Sequence, residues 1–400
     1  MRVLLFSLVY YPRFVGGAEV AIKEITDRIS KEEIVFDMIT LRTSGEQREE
    51  TVGAVRVFRV GPLFVPFWLR KYLFPFTAWF KARQLHARKA YDATWSMMAN
   101  YAGFAALFFK FSHKDIPFIL TLQEGDSLEH IRHRVGLLYP LFKRIFTKAN
   151  RIQAISSFLA EWARYMGAES SVYVIPNGVD VEKFEIRNSK FEIEEKRKEL
   201  GFNTGDKIVI TTSRLVKKNG VGDLIQSLKY LPESVKLLIV GSGLLLKNLQ
   251  LTTSNLQLEG RVKFIGFVPH SELPAYLHAS DVFCRPSLSE GLGISFLEAM
   301  ASGLPVVATP VGGIPDFLSS PPSHLFRGGI EGGELPKEWN DKITGLFCKV
   351  HNPKSIAEKV QLLLSNETLR NRIVGNASQM VREKYGWDGV AEKMREVLTG

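Results

Sequence analysis

Two glutamates, Glu290 and Glu298, stand in the stretch SLSEGLGISFLEAMASG on either side of Gly291-Leu292-Gly293. The first precedes a tight turn. The second lies near the second turn of the apolar, helix-like run that follows. If the turn curls back, both carboxylates reach one ligand. A carboxylate accepts hydrogen bonds from paired hydroxyls, so the pair suits a ribose and a sugar better than a phosphate. Two solvent-facing charges would be the plainer reading, but the run LEAMASG is too apolar to favour it.

Other residues suit anionic groups. Arg214, Lys217 and Lys218 in SRLVKKNG follow the short apolar run KIVITTS and precede a helix-like segment. Ligands of open α/β sheets sit at such strand ends, where clustered cations suit a diphosphate; a solvated loop is the alternative. Gly16 and Gly17 of GGAE lie between a strand and a helix, where bare backbone cradles a phosphate or simply turns. Gly241 and Gly243 close the strand VKLLIVGSG, either to admit an anion or to serve the turn alone. Leu246 occupies the third glycine's place of a dinucleotide fingerprint, which argues against that cofactor. PNGVD, residues 176–180, reads on its own as a turn. His130 and His133 of EHIRH lack convergent acids and read as a surface helix face, and no metal site is expected.

Elements must hold these residues. Four hundred residues exceed what one hydrophobic core usually serves, so two domains are expected. At 45% hydrophobic and 24% charged the chain is globular in composition. Strand-like runs (RVLLFSLVY, IVFDMITL, AVRVFRV, IPFILTLQ, RIQAIS) accompany an amphipathic helix from about Ala18 to Ser30. A second series begins at KIVITTS and continues through VKLLIVGSG, VKFIGFV, DVFCRPS and LPVVATPVGG, with helices between. The pattern gives an α/β fold of two doubly wound, Rossmann-like parallel-sheet domains facing a cleft. The first is expected over 1–184, a charged connection over 185–205 and the second over 206–375. The proline- and glycine-rich stretch 319–340 reads as a surface insertion.

The net charge of +10 is unevenly spread. No acid occurs between Glu50 and Asp92, where eight lysines and arginines are interspersed with ten phenylalanines, tryptophans and tyrosines. The window 56–90 suits an anionic membrane surface or a solvated basic face over core aromatics; no nucleic-acid motif accompanies it. No apolar run reaches the roughly 18–20 residues of a membrane span. The N-terminus reads as a buried strand rather than a signal peptide, and Cys284 and Cys348 lack metal or redox spacing and suit a cytoplasmic setting.

Taken in order, GGAE, PNGVD, SRLVKKNG, GFVPHSELPAYLHASDVF and SEGLGISFLEAMASGLPVVAT resemble family-4 retaining glycosyltransferases of the GT-B fold. The likeness covers nearly the whole chain. It implies that Glu298 holds the nucleotide ribose, that Glu290 contacts the transferred sugar beside Gly291, Leu292 and Gly293, and that Arg214 with Lys218 grips the diphosphate. Backbone near Phe267 and Val268 would border the base, and a terminal segment over 376–400 would cross back to the first domain. The donor would be a nucleoside diphosphate sugar, the acceptor a glycan or lipid-linked hydroxyl, with no further cofactor. Two positions depart from the family pattern. Asn219 stands where a lysine is common, leaving Lys218 to supply the charge. Gln123-Glu124 stands where many members carry a histidine–aspartate pair, and a glutamine is neither acid nor base at neutral pH. Gln123 and Glu124 are the acceptor-side candidates. Two rival readings are a nucleotide-sugar-binding protein without turnover and a GT-B sugar-nucleotide epimerase.

Overall fold

The computed structural model describes residues 1–185, 189–322 and 339–400. The expected insertion at 319–340 therefore lies largely outside the described residues. The chain divides into two compact units: residues 1–178 with 387–400, and residues 179–386.

The first unit is built on an eight-stranded sheet. Its spatial order is Glu49–Val52, Val55–Val60, Val35–Leu41, Arg2–Phe6, Ala93–Met97, Phe118–Leu122, Arg151–Ala154 and Ser171–Val174. All neighbours are parallel except the first pair, an antiparallel hairpin at one edge. The strands Ala93–Met97 and Phe118–Leu122 are buried throughout, as parallel strands covered on both faces must be. Helix Gly17–Arg28 presents Ala21, Ile22 and Ile25 to this core at helical spacing.

The terminal helix Trp387–Thr399 belongs to the same unit and buries Trp387, Val390, Met394 and Leu398 in its core. The helix before it, Glu367–Lys384, stays in the second unit and packs on Ile294–Ala301. The terminal element of the first unit therefore begins at Trp387 rather than at 376. Likewise, part of the expected 185–205 connection is a helix, Lys190–Glu199, that packs on Leu273–His278, and Arg197 in its last turn bonds Asp281 at 3.0 Å.

The second unit carries a six-stranded, wholly parallel sheet in the order Val262–Gly266, Val235–Val240, Lys207–Thr212, Val282–Arg285, Val306–Ala308, Leu346–Phe347. The strand order reverses beside Lys207–Thr212, the first strand of this unit. In such sheets the loops leaving the strands at that reversal are where ligands bind. The loop carrying Arg214 and the loop carrying Glu290 both leave there, after Thr212 and after Arg285.

Candidate functional site

In the second unit, the loop after Lys207–Thr212 places Arg214 exposed at the strand end, and Lys218 on the single turn Lys217–Asn219. Asn219 is buried, and its side-chain N–H donates to the Arg214 carbonyl at 2.6 Å. It braces the loop from inside and is not an exposed cation's place. The Leu288 N–H donates to the Lys218 carbonyl at 2.6 Å, which stitches the cation loop to the stretch entering Glu290. The sheet-end cations and the glutamate elbow are thus parts of one local structure.

Glu290 is held from two sides. One oxygen accepts from the Arg285 guanidinium at 2.5 Å, the other from the Gly291 N–H at 3.2 Å. Arg285 is itself buried and also donates to the hydroxyls of Ser287 and Ser295 at 3.2 and 2.7 Å. Its guanidinium lies 4.2 Å from the centre of the Phe296 ring. Burial lowers the pKa of Arg285, against the raising influence of Glu290 and then Glu298, so this cation sits in the field of both acids. Leu292 is buried, and Gly293 takes φ +95°, the left-handed conformation that opens helix Ile294–Ala301.

Glu298, on the second turn of that helix, is only 7% exposed. Its Oε1 pairs with His270 Nε2 at 2.7 Å, and Lys183 Nζ lies 2.8 Å from His270 Nδ1. A lysine ammonium can only donate, so Nδ1 accepts, and Nε2 carries the proton given to Glu298. Beside His270, Val268 is half-buried while Phe267 is 77% exposed, an unusual position for a bare ring.

The glycines of VGSG are used by the local packing. The Gly241 N–H donates to the Gly266 carbonyl at 2.7 Å, so it is not free for an anion. A Cβ on Gly241 would stand 2.0 Å from the Ser213 carbonyl oxygen, and one on Gly243 2.5 Å from that of Leu215. Both glycines let this loop press against the cation loop.

Within the first unit, Gly16 caps helix Gly17–Arg28, but its N–H donates to Glu19 Oε2 at 2.9 Å. A carboxylate of the chain itself therefore takes the place expected for a phosphate at Gly16; Gly17 begins the helix and is exposed. Gln123 exchanges two hydrogen bonds of 3.0 Å with Asn177, each amide donating once and accepting once. Glu124 is buried; its Oε1 accepts from the Ala99 N–H at 2.6 Å, while Oε2 has no hydrogen-bond partner. Burial pushes its carboxyl up to about 7, against the opposing pull of backbone donors and Arg134. The preceding residue on the facing loop, Met98, adopts φ +71°, a strained conformation of the kind found at functional sites. His130 and His133 lie exposed on helix Leu128–Val135.

Residues 15–183 match the family model described as Glycosyltransferase Family 4, and residues 192–321 match the one described as Glycosyl transferases group 1. The chain is a family-4 glycosyltransferase of the GT-B fold. An uncharacterized glycosyltransferase of Methanocaldococcus jannaschii is 28% identical over 98% of this chain and 96% of its own length. The alpha-monoglucosyldiacylglycerol synthase of Streptococcus pneumoniae is 27% identical, over 77% of this chain and 71% of its own. Among solved structures, that of Anabaena HepE in complex with UDP and glucose superposes with a TM-score of 0.78 at 20% identity, covering 100% of this chain and 99% of that one.

Sequence reading of this glycosyltransferase missed Arg285, His270 and Lys183. An arginine ending the apolar strand run VFCR was a signal for the first, since a buried cation needs partners. Nothing in the spacing of Lys183, His270 and Glu298 linked them, because three separate segments supply them. Cys284 and Cys348 are both free and buried, and burial pushes the Cys348 thiol up to about 12, which leaves it unreactive. Among the described residues, no group of three or more His, Cys, Asp or Glu is placed to hold a metal ion.

Proposed function

We propose that this glycosyltransferase moves a sugar from a nucleoside diphosphate sugar to a hydroxyl acceptor with retained anomeric configuration. The observation that carries the reading is the Leu288–Lys218 backbone bond, which joins the loop bearing Arg214 and Lys218 to the elbow bearing Glu290. Glu298 holds the ribose diol, and Glu290 orients the transferred sugar. Backbone at Val268, Gly291, Leu292 and Gly293 frames the donor. As the bond from the anomeric carbon to the diphosphate breaks, Arg214 and Lys218, rather than a divalent ion, neutralise the charge that builds on the leaving group. The departing phosphate takes the acceptor's proton while the acceptor oxygen bonds to the same face of the sugar. The UDP and glucose in the HepE structure support a nucleoside diphosphate sugar as donor.

The test is a thermal-stability screen with UDP-, GDP- and ADP-sugars, since a ligand that binds only the folded state raises the melting temperature. One of them should stabilise the wild type, and Glu298→Ala should lose most of that gain while keeping its own fold. An equal gain in both proteins would remove the ribose assignment. A second reading, donor binding without turnover, draws on the Gln123–Asn177 amide pair, which offers no acid or base on the acceptor side. Release of free sugar or transfer to an acceptor decides between them.

The acceptor in this reading is lipid-linked and is met at the cytoplasmic face of an anionic membrane. The name of the Streptococcus pneumoniae relative denotes a glycolipid product. In this chain, helix Phe67–Arg88 carries Trp68, Tyr72, Phe76 and Phe80 at four-residue intervals, each more than half exposed. Such spacing lines up one ridge along a helix. Phe64, just before it, is 90% exposed. Lysines and arginines flank the ridge without an intervening acid, as an anionic headgroup layer would require. Not all of the window 56–90 belongs to this face. Arg56 pairs with Glu49, Arg59 is buried against Glu46 and Glu50, and Arg70 is buried against the Arg42 carbonyl.

A further inference from the structure

We infer that Arg285 is the positioning residue that fixes Glu290 for the transferred sugar; the inference rests on the donor reading above. A carboxylate on a loop lip rotates freely unless something holds it. Here a buried guanidinium, not solvent, does so: Arg285 and Glu290 pair at 2.5 Å with side chains 7% and 15% exposed. The guanidinium is in turn fixed at three other points, by Ser287, by Ser295 and by the face of Phe296. That is the arrangement expected of a supporting shell, in which each group's orientation is set by packing and hydrogen bonds behind it.

The glycine turn is part of the same device. A Cβ on Gly293 would stand 2.5 Å from the Phe296 ring and 3.0 Å from Arg285 Nη2, so only glycine leaves the guanidinium its seat. With one oxygen on Arg285 and the other on the Gly291 N–H, both oxygens of Glu290 are pinned, and each keeps a lone pair for a sugar hydroxyl. Glu290 thereby becomes a fixed acceptor, whose value lies in meeting the sugar without first paying to order itself.

The inference predicts which part of the donor senses Arg285. Titration calorimetry with UDP and UDP-glucose, and in parallel GDP and GDP-mannose, gives the ratio of nucleotide-sugar to nucleotide dissociation constants. In Arg285→Met this ratio should rise at least about tenfold, as expected when one member of a buried hydrogen-bonded charge pair is truncated. The dissociation constant for the bare nucleotide should stay within about twofold. Glu290→Gln should raise the ratio similarly, and the double variant should add little, because both changes break one unit. Arg285→Lys should recover part of the loss. Ser295→Ala removes a single support at a half-buried site, so it tests the idea even if Arg285→Met fails to fold; a rise of about two- to tenfold is expected. A loss of affinity for the nucleotide and its sugar alike, or losses that multiply in the double variant, would show Arg285 to be structural only and overturn the inference. If the wild type binds none of the four compounds, it is the donor reading itself that fails, and Arg285 loses its role with it.

Discussion

At the scale of single residues, the buried carboxyl of Glu124 makes a measurable difference. Its Oε2 is buried without a hydrogen-bond partner, and burial raises its pKa to about 7. The ordinary value for a glutamate in an unfolded chain is about 4.3. The folded state therefore favours the protonated form. Below the unfolded value both states bind the proton and the fold carries no penalty; as pH rises towards 7 the penalty grows, and it is complete above that. Wild-type stability should accordingly fall relative to Glu124→Gln by an amount on the order of 3 kcal/mol between pH 4 and pH 8. Urea denaturation of both proteins across that range checks the sign and size. A difference independent of pH would mean that Glu124 titrates in the folded protein as it does in the unfolded chain.

At the scale of elements, the loop from Arg214 to Gly220 shows how far sequence carries and where it stops. Its cations follow a strand and precede a helix, and that much was legible from the order of apolar and polar runs. The role of Asn219 was not, because the spacing of side chains says nothing about which one turns inward. Judged against the family pattern, Asn219 looks like a missing lysine. In the structure it is 5% exposed and holds the Arg214 carbonyl. Asn219→Lys, which restores the family pattern, should therefore not raise turnover. It should cost about 1–3 kcal/mol of stability by breaking a buried bond and crowding a charge inside, read as a lower denaturation midpoint. A gain in turnover would mean that the lysine reaches the donor and that Asn219 is a genuine defect.

The same limit explains the helix Phe67–Arg88. Large apolar residues lie on its exposed ridge as well as on its buried face, and Pro75 stands in its interior, so neither a helical stripe nor an uninterrupted run announced it. The buried parallel strands, by contrast, are short apolar runs closed by polar residues and could be placed from sequence. The glutamate elbow was legible as two acids around a glycine turn. Of its supports, Arg285 ends the strand that leads into the loop, whereas His270 comes from another segment and only the fold brings it to Glu298.

At the scale of the whole molecule, the net charge of +10 is less telling than where the charge lies. Several cations of the acid-free window are consumed internally, which leaves Lys71, Lys81, Arg83, Arg88 and Lys89 around the aromatic ridge. Lys71, Lys81 and Arg83 each lie against an aromatic face, of Phe67, Phe58 and Trp79. No described helix is long and apolar enough to cross a membrane. On the proposed reading the ridge would lie in the headgroup boundary, with the cations among the phosphates. Two forces then contribute, and they separate by experiment. Electrostatic attraction fades within a Debye length of about 8 Å at physiological salt, whereas aromatic insertion does not depend on salt. The protein should sediment with vesicles containing anionic phosphatidylglycerol at low salt and release at least in part at 1 M salt. It should not bind vesicles of phosphatidylcholine alone. Replacing Trp68 and Phe76 by serine should weaken binding at every salt concentration, while replacing Lys81 and Arg83 by glutamine should weaken it mainly at low salt. If all of these proteins stay in the supernatant with anionic vesicles, the ridge has some other partner and the acceptor need not be a lipid.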